Sequence, residues 1–167
     1  MKKFKKQFER IYEKYVDKIY RFVFLKVSST EIAEDLTSQV FLRGWEKFKK
    51  QNPTFQIQNA SAYLFQIARS EIANHYRQKP KFQTISTESK ELLDFQLNPE
   101  ESQSLNSDFI EIRKAISLLP EESQNMIVLR YVNGLSNREI AKILDKSEGA
   151  IRVALHRSLK ELRERLL

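Results

Sequence analysis

Apolar positions recur along this chain at helical intervals of three and four residues, almost from its start. Phe8, Ile11, Tyr12, Tyr15, Ile19, Phe22 and Val23 make a first stripe. Ile32, Leu36, Val40, Phe41, Trp45 and Phe48 make a second, which predicts a helix from about Glu31 to Lys50. Thr30 is its expected N-cap, with Glu31 and Glu34 favourable in the first turn and Lys47, Lys49 and Lys50 suited to the far end of the dipole. Asn52-Pro53 marks a stop. A third helix is predicted from about Ser61 to Gln78, with Leu64, Phe65, Ala68, Ile72, His75 and Tyr76 on one side and Pro80 as its end. Residues 81–99, KFQTISTESKELLDFQLNP, then break the pattern between two prolines and read as a flexible linker. Helical spacing returns from about Glu100 to Leu118. Pro120 opens a further helix, EESQNMIVLRYVN, that Gly134 closes as a C-terminal cap. No stretch reads as a strand. The expected fold is all-α: two small helical domains, residues 1–80 and 100–167, joined by the linker.

The most informative stretch is LSNREIAKILDKSEGAIRVALHRSLKEL, Leu135 to Leu162. Ser136 can cap a short helix, Asn137 to Leu144, with Glu139 as its capping-box partner and Ile140, Ala141 and Leu144 facing inward. Asp145-Lys146-Ser147 leaves that helix, and Ser147 caps the next. The second helix is expected to bury Ile151, Ala154, Leu155, Leu159 and Leu162. Glu148, Arg152, His156 and Lys160, spaced by four, then lie outside with Arg157 beside them. Two helices joined by so few residues cross steeply, as in a helix-turn-helix whose second helix enters the DNA major groove. Arg152 is placed to pair with a guanine edge, a contact worth about 1–3 kcal/mol of discrimination. Arg157 and Lys160 suit phosphates, which fix register without reading sequence. A plain helical hairpin with solvated cations is the alternative.

Composition narrows the choice. In 167 residues there are 3 glycines, 4 prolines and no cysteine, which favours helix and excludes disulfides, zinc fingers and thiol chemistry. No apolar run is long enough to span a bilayer, and the basic start MKKFKKQFERIYEKY has no signal-peptide core, so a cytoplasmic protein without membrane insertion is expected. The net charge of +7 is unevenly spread: +8 over residues 1–80, −3 over 81–119 and +2 over 120–167. Two basic blocks flanking an acidic middle point to a polyanionic partner, with a well-solvated surface as the alternative.

The N-terminal half makes the reading specific. AEDLTSQVFLRGWEKF (Ala33–Phe48) followed by SAYLFQIARSEIANHYRQK (Ser61–Lys79) resembles region two of bacterial RNA polymerase sigma factors. SLLPEESQNMIVLRYVNGLSNREIAKILDKSEGAIRVALHRSLKELRERL (Ser117–Leu166) is similar to their region four. Together they resemble the small two-domain, extracytoplasmic-function (ECF) type. The resemblance implies a protein that binds core RNA polymerase, through the clamp helices of the largest subunit and the flap, and that directs promoter-specific initiation. It implies core-polymerase contacts at Asp35, Leu36, Ser38, Gln39, Phe41, Leu42 and Trp45, with Gln39 where the family usually has an acid. One helix face cannot bury both Leu36 and Leu42, so one is left for a partner; Phe41 and Trp45 also suit the core. It implies capture of the single-stranded minus-ten element at Gln58, Asn59, Ala60, Ser61 and Tyr63, with Arg77 and Lys79 on nearby phosphates. Asn59 as a helix cap and Tyr63 as a packing residue are the plainer alternatives. Finally it implies minus-thirty-five contacts at Glu148, Arg152, His156, Arg157 and Lys160, with Ala154 where the family often has arginine.

Promoter DNA and, as often in the family, an anti-sigma factor are the other partners implied, with the free chain a monomer. No enzyme site, cofactor site or metal site emerges; the two histidines, His75 and His156, fall in different domains. A conventional helix-turn-helix regulator acting without polymerase is the competing function, and a membrane-surface protein using the basic start near Lys2–Lys6 is a third.

Overall fold

The computed structural model describes residues 2–50, 57–78 and 111–167; the side chains of residues 57–59 are also outside the description. The linker 81–99 and the first part of the helix expected from Glu100 fall outside the described residues. Every regular element within them is helical, and the chain forms two compact units.

The first unit is a bundle of α1 (Lys2–Val27), α2 (Thr30–Lys50) and α3 (Ile57–Gln78), each packed on the other two. The stripes meet as their periodicity requires. Ile11, Tyr15, Ile19, Phe22 and Val23 of α1 are buried with Ala33, Leu36, Val40, Phe41 and Phe48 of α2 and Leu64, Phe65, Ala68 and Ile72 of α3. Phe22 and Phe65 meet edge to face at 5.5 Å. Gly44 lets α2 and α3 approach closely, because a Cβ there would lie 2.9 Å from Leu64 Cδ2. α1 ends on Ser28, whose left-handed backbone (φ 57°) reverses the chain in two residues. Ser29, and not Thr30, caps α2: its Oγ accepts from the Ile32 N–H at 3.4 Å. The cap belongs to the last non-helical residue, and α2 starts one position earlier than the apolar stripe suggests. A charged pair ties the outer part of the bundle, with Arg43 Nη1 2.6 Å from the buried Glu71 carboxylate.

In the second unit, residues 111–117 form a helical segment, α4. It is followed by α5 (Glu121–Ile127), α6 (Asn137–Leu144) and α7 (Glu148–Leu166). Ala115, Leu119, Ile127 and Leu162 form a buried cluster. Gln124 Nε2 donates to the carbonyls of Leu119 (2.8 Å) and Ser117 (3.1 Å), which the end of α4 leaves without helical partners. α5 runs directly into a π-helical turn, Val128–Val132, which the sequence pattern does not predict. Gly134 then closes it as expected, at φ 67°, and the Leu135 N–H reaches back to the Leu129 carbonyl at 3.0 Å.

Candidate nucleic-acid and partner interfaces

The helix-turn-helix is set by three local devices. Ser136 Oγ accepts from the Glu139 N–H (3.2 Å) while the Glu139 carboxylate accepts from the Ser136 N–H (2.8 Å), the reciprocal capping box expected from the sequence. Ser147 Oγ accepts from the Ala150 N–H at 3.1 Å and starts α7. Between them the chain turns on Asp145, a non-glycine residue in the left-handed region (φ 55°), and the Lys146 N–H returns to the Ala141 carbonyl at 2.9 Å. Asp is among the few residues that tolerate this backbone. Lys146 also pairs with Glu122 of α5, at 2.6 Å.

α7 buries Ile151, Leu155, Ser158 and Leu162, while Ala154 and Leu159 are only half-buried. The expected buried face is therefore rotated slightly. Ser158 takes the inner place because its hydroxyl donates back to the Ala154 carbonyl at 2.8 Å, which removes the cost of burying it. Glu148, Arg152, His156, Arg157 and Lys160 are all exposed. They do not form one row. Arg157 lines the groove between α5 and α7 with Met126, Val153, Ser158 and Glu161. Val153, 52% exposed in that groove, was not singled out by the sequence; an apolar side chain there offers a protein partner a hydrophobic contact. Its signal was an apolar residue off the buried stripe.

In the first unit, α2 divides the seven expected partner-binding residues. Asp35, Ser38 and Leu42 are exposed and Gln39 half-buried, at the spacing of one helix face, with the half-buried Trp45 continuing it. Leu36 and Phe41, each 5% exposed, lie in the core of the unit. Of the two leucines that one face cannot bury together, Leu42 is the outer one. The Gln39 amide donates to Asp35 Oδ2 at 3.2 Å, so the residue standing in the place of an acid orients the acid one turn away.

On α3 the helix begins at Ile57, four residues earlier than expected, so Gln58, Asn59 and Ala60 are in its first turn and not in a loop. Ala60 and Ser61 are buried. Tyr63 is half-buried, and Lys47 of α2 holds its Nζ 4.0 Å from the ring centroid. Lys47 was expected only as a dipole partner. Arg77 is exposed near Asn74, and Lys79 lies outside the described residues. No group of three metal-ligating side chains occurs among the described residues, and no helix among them is long and apolar enough to cross a membrane.

Comparison with known proteins adds an independent line. Residues 11–81 match the family described as Sigma-70 region 2, and residues 109–162 the family described as Sigma-70, region 4. The chain is 34% identical over 137 residues to the ECF RNA polymerase sigma factor ShbA of Streptomyces griseus, covering 78% of this chain and 69% of that one. It is 30% identical over 156 residues to the ECF RNA polymerase sigma factor BldN of Streptomyces coelicolor, covering 93% of this chain but only 58% of BldN's length. Its fold is similar to that of the sigma factor RpoE solved with the anti-sigma factor NepR from Bartonella quintana (TM-score 0.68, 20% identity, 99% of this chain and 98% of that chain).

Proposed function

This chain belongs to the ECF RNA polymerase sigma factors, and from that premise we propose that it binds core RNA polymerase and directs initiation at a specific class of promoters. The observation that carries the reading is the presence, in order on one chain, of a region-two bundle and a region-four helix-turn-helix. α7 reads the minus-thirty-five element in duplex form: Arg152 takes a base edge, and His156 and Lys160 meet phosphates. α2 docks on the polymerase clamp through Leu42 and the polar row Asp35, Ser38 and Gln39, with Trp45 at its edge. The first turn of α3 and Tyr63 receive an unstacked base of the minus-ten strand, with Arg77 and Lys79 serving its phosphates. The groove between α5 and α7 suits the polymerase flap. Two weakly binding units on one carrier gain from effective concentration once the first is seated. An anti-sigma factor is a further partner class, since the similar RpoE was solved with one.

A helix-turn-helix regulator that ignores polymerase leaves the exposed Leu42 and the region-two match without a purpose. The deciding experiment is transcription from a promoter library by core polymerase, with and without the protein. Initiation at a defined promoter subset that requires the protein is the expected result. Unchanged transcripts, with the protein alone shifting duplex DNA, would refute the proposal.

A further inference from the structure

One end of the first unit concentrates charge beyond the sites above. Residues 2–10 and 46–50 together hold eight Lys/Arg and two Asp/Glu, a net +6 in a chain whose total is +7. Folding brings these segments together. Phe4 in the first turn of α1 meets Phe48 in the last turn of α2 at 6.1 Å, and Phe8 meets Trp45 at 5.1 Å. Lys2, Lys3, Lys5, Lys6, Lys49 and Lys50 are exposed around that contact. The opposing carboxylates are Glu9 on α1 and Glu46 on α2, both exposed. None of Lys2, Lys3, Lys5 and Lys6 has an ion-pair partner among the described residues.

This placement works against the bundle's own stability. α1 carries no acid in its first turn, and the lysines there face the positive end of the helix dipole. They also repel the lysines at the end of α2. A sequence selected for the fold alone would reverse the charges of that turn, so the cluster is explained by an anion it meets. Two lysines of α2 are also oriented by aromatic rings, Lys49 over Trp45 at 5.6 Å and Lys47 over Tyr63 at 4.0 Å. The second contact puts the proposed base-stacking residue at the same end of the unit as the lysine cluster.

We infer that the first turns of α1 and the last turn of α2 form a cradle for the sugar-phosphate backbone of the single strand whose base is taken at Tyr63. Lys47 joins the two, with its ammonium on one face of the Tyr63 ring and within reach of the adjoining phosphate. The strand therefore runs over this end of the bundle, and the cradle supplies sequence-independent grip. The inference rests on the proposed role of the first unit.

The test uses the full chain assembled with core RNA polymerase and a fluorescent single-stranded DNA carrying the non-template minus-ten segment and its flanks. Binding is measured across a salt series for wild type and for Lys2→Gln/Lys3→Gln/Lys5→Gln/Lys6→Gln. For single strands log K falls with log salt with a slope of about −0.7 per phosphate neutralised. The variant is expected to bind at least tenfold more weakly at low salt, with a slope shallower by about 1.4–2.8, for two to four lost phosphates. Its affinity for core polymerase should be unchanged. Lys47→Gln should reduce the slope by about 0.7 and also weaken quenching of 2-aminopurine at the captured base. An unchanged slope in the quadruple variant, with wild type binding normally, overturns the cradle and leaves the sigma reading intact. Loss of binding to anionic phospholipid vesicles, with an unchanged DNA slope, overturns it in favour of a lipid surface. Wild-type protein that forms no complex with polymerase would overturn the proposed function itself.

Discussion

Leu42 and Leu36 sit on the same helix, six residues apart, with opposite surroundings, and this makes a paired test of the proposed polymerase-docking face. Leu42 is 60% exposed and Leu36 is 5% exposed. Fully burying a leucine side chain is worth about 1.5–3 kcal/mol. Folding has left more than half of that gain unrealised at Leu42, so a partner that covers it stands to gain about 1–2 kcal/mol. Leu42→Ala should therefore weaken binding to core polymerase by about 5- to 30-fold. It should leave stability almost unchanged, since alanine is as good a helix former and little packing is lost. Leu36→Ala should do the reverse, costing about 2–5 kcal/mol of folding stability through a core cavity. Where it remains folded, its affinity for polymerase should be near wild type. Competition binding against a labelled wild-type protein, with urea unfolding of each variant, separates the two effects. Leu42→Ala binding within twofold of wild type, at unchanged stability, would show that this face of α2 is not the docking surface.

Further outcomes follow from single features of the structure. Arg152→Ala should relax preference at one upstream base by about 1–3 kcal/mol in a promoter-variant transcription assay, with affinity for polymerase unchanged. Arg43→Met removes the partner of the buried Glu71 carboxylate, 4% exposed where the arginine is 55% exposed; it should destabilise by about 1–3 kcal/mol in urea unfolding at pH 7. Gly134→Ala forces a Cβ into φ 67° with nothing within 4 Å to clash with, so its loss of about 1 kcal/mol is pure backbone cost; Gly149→Ala, in a helix and equally open, should instead be neutral or stabilising. Burial, followed by the nearby Glu34 carboxylate, raises the Tyr20 phenol above its ordinary 10.0, partly offset by a hydrogen bond with Thr30. The folded chain then holds that proton more tightly than the unfolded chain, so stability should fall as pH rises above about 10, and Tyr20→Phe should flatten that fall in urea titrations.

The features that were legible in the sequence are those whose chemistry is local. The capping box at Ser136 and Glu139, the cap at Ser147 and the glycine stop at Gly134 each depend on a few neighbouring residues, and all form as their sequence predicts. Apolar periodicity likewise located the helices and marked Leu42 as a leucine in excess of one face. What escaped depends on backbone states with weak side-chain signatures. Ser28 and Asp145 adopt left-handed backbones without being glycine, and the π-turn at Val128–Val132 sits inside an unbroken apolar run. The early start of α3 was hidden for another reason. Ala60, Leu64, Ala68 and Ile72 do continue one stripe at intervals of four, but small Ala60 and polar Ser61 carry little hydrophobic signal, and Glu71 contradicts it. With that start, Ala60 and Ser61 are buried residues of the helix.

Charge shows where sequence reading stops and geometry must take over. The cations of α2 and α7 are plain in the sequence, yet their surroundings decide what each can do. Arg43 is held by Glu71, Lys146 by Glu122 and Arg165 by Glu161, across or along helices. Lys47 and Lys49 lie over aromatic rings. The three ion pairs support the fold, while the ring contacts orient Lys47 and Lys49 without neutralising them. Arg152 and Lys160, by contrast, are exposed on α7 and enter no ion pair among the described residues. Exposed ion pairs are worth only about 0–1 kcal/mol, so a cation left outside one sacrifices little stability. It keeps its electrostatic attraction available for a phosphate or a base edge, where releasing counterions makes each contact count toward affinity. The same distinction separates His156 and Lys160, directed outward from α7, from Arg157, turned into the groove beside Met126 and Glu161. On the proposed reading Arg157 serves a protein partner at that groove as well as the DNA, and substituting it should disturb both, whereas substituting Lys160 should weaken promoter binding about equally across sequences and make its salt dependence shallower, with affinity for polymerase unchanged.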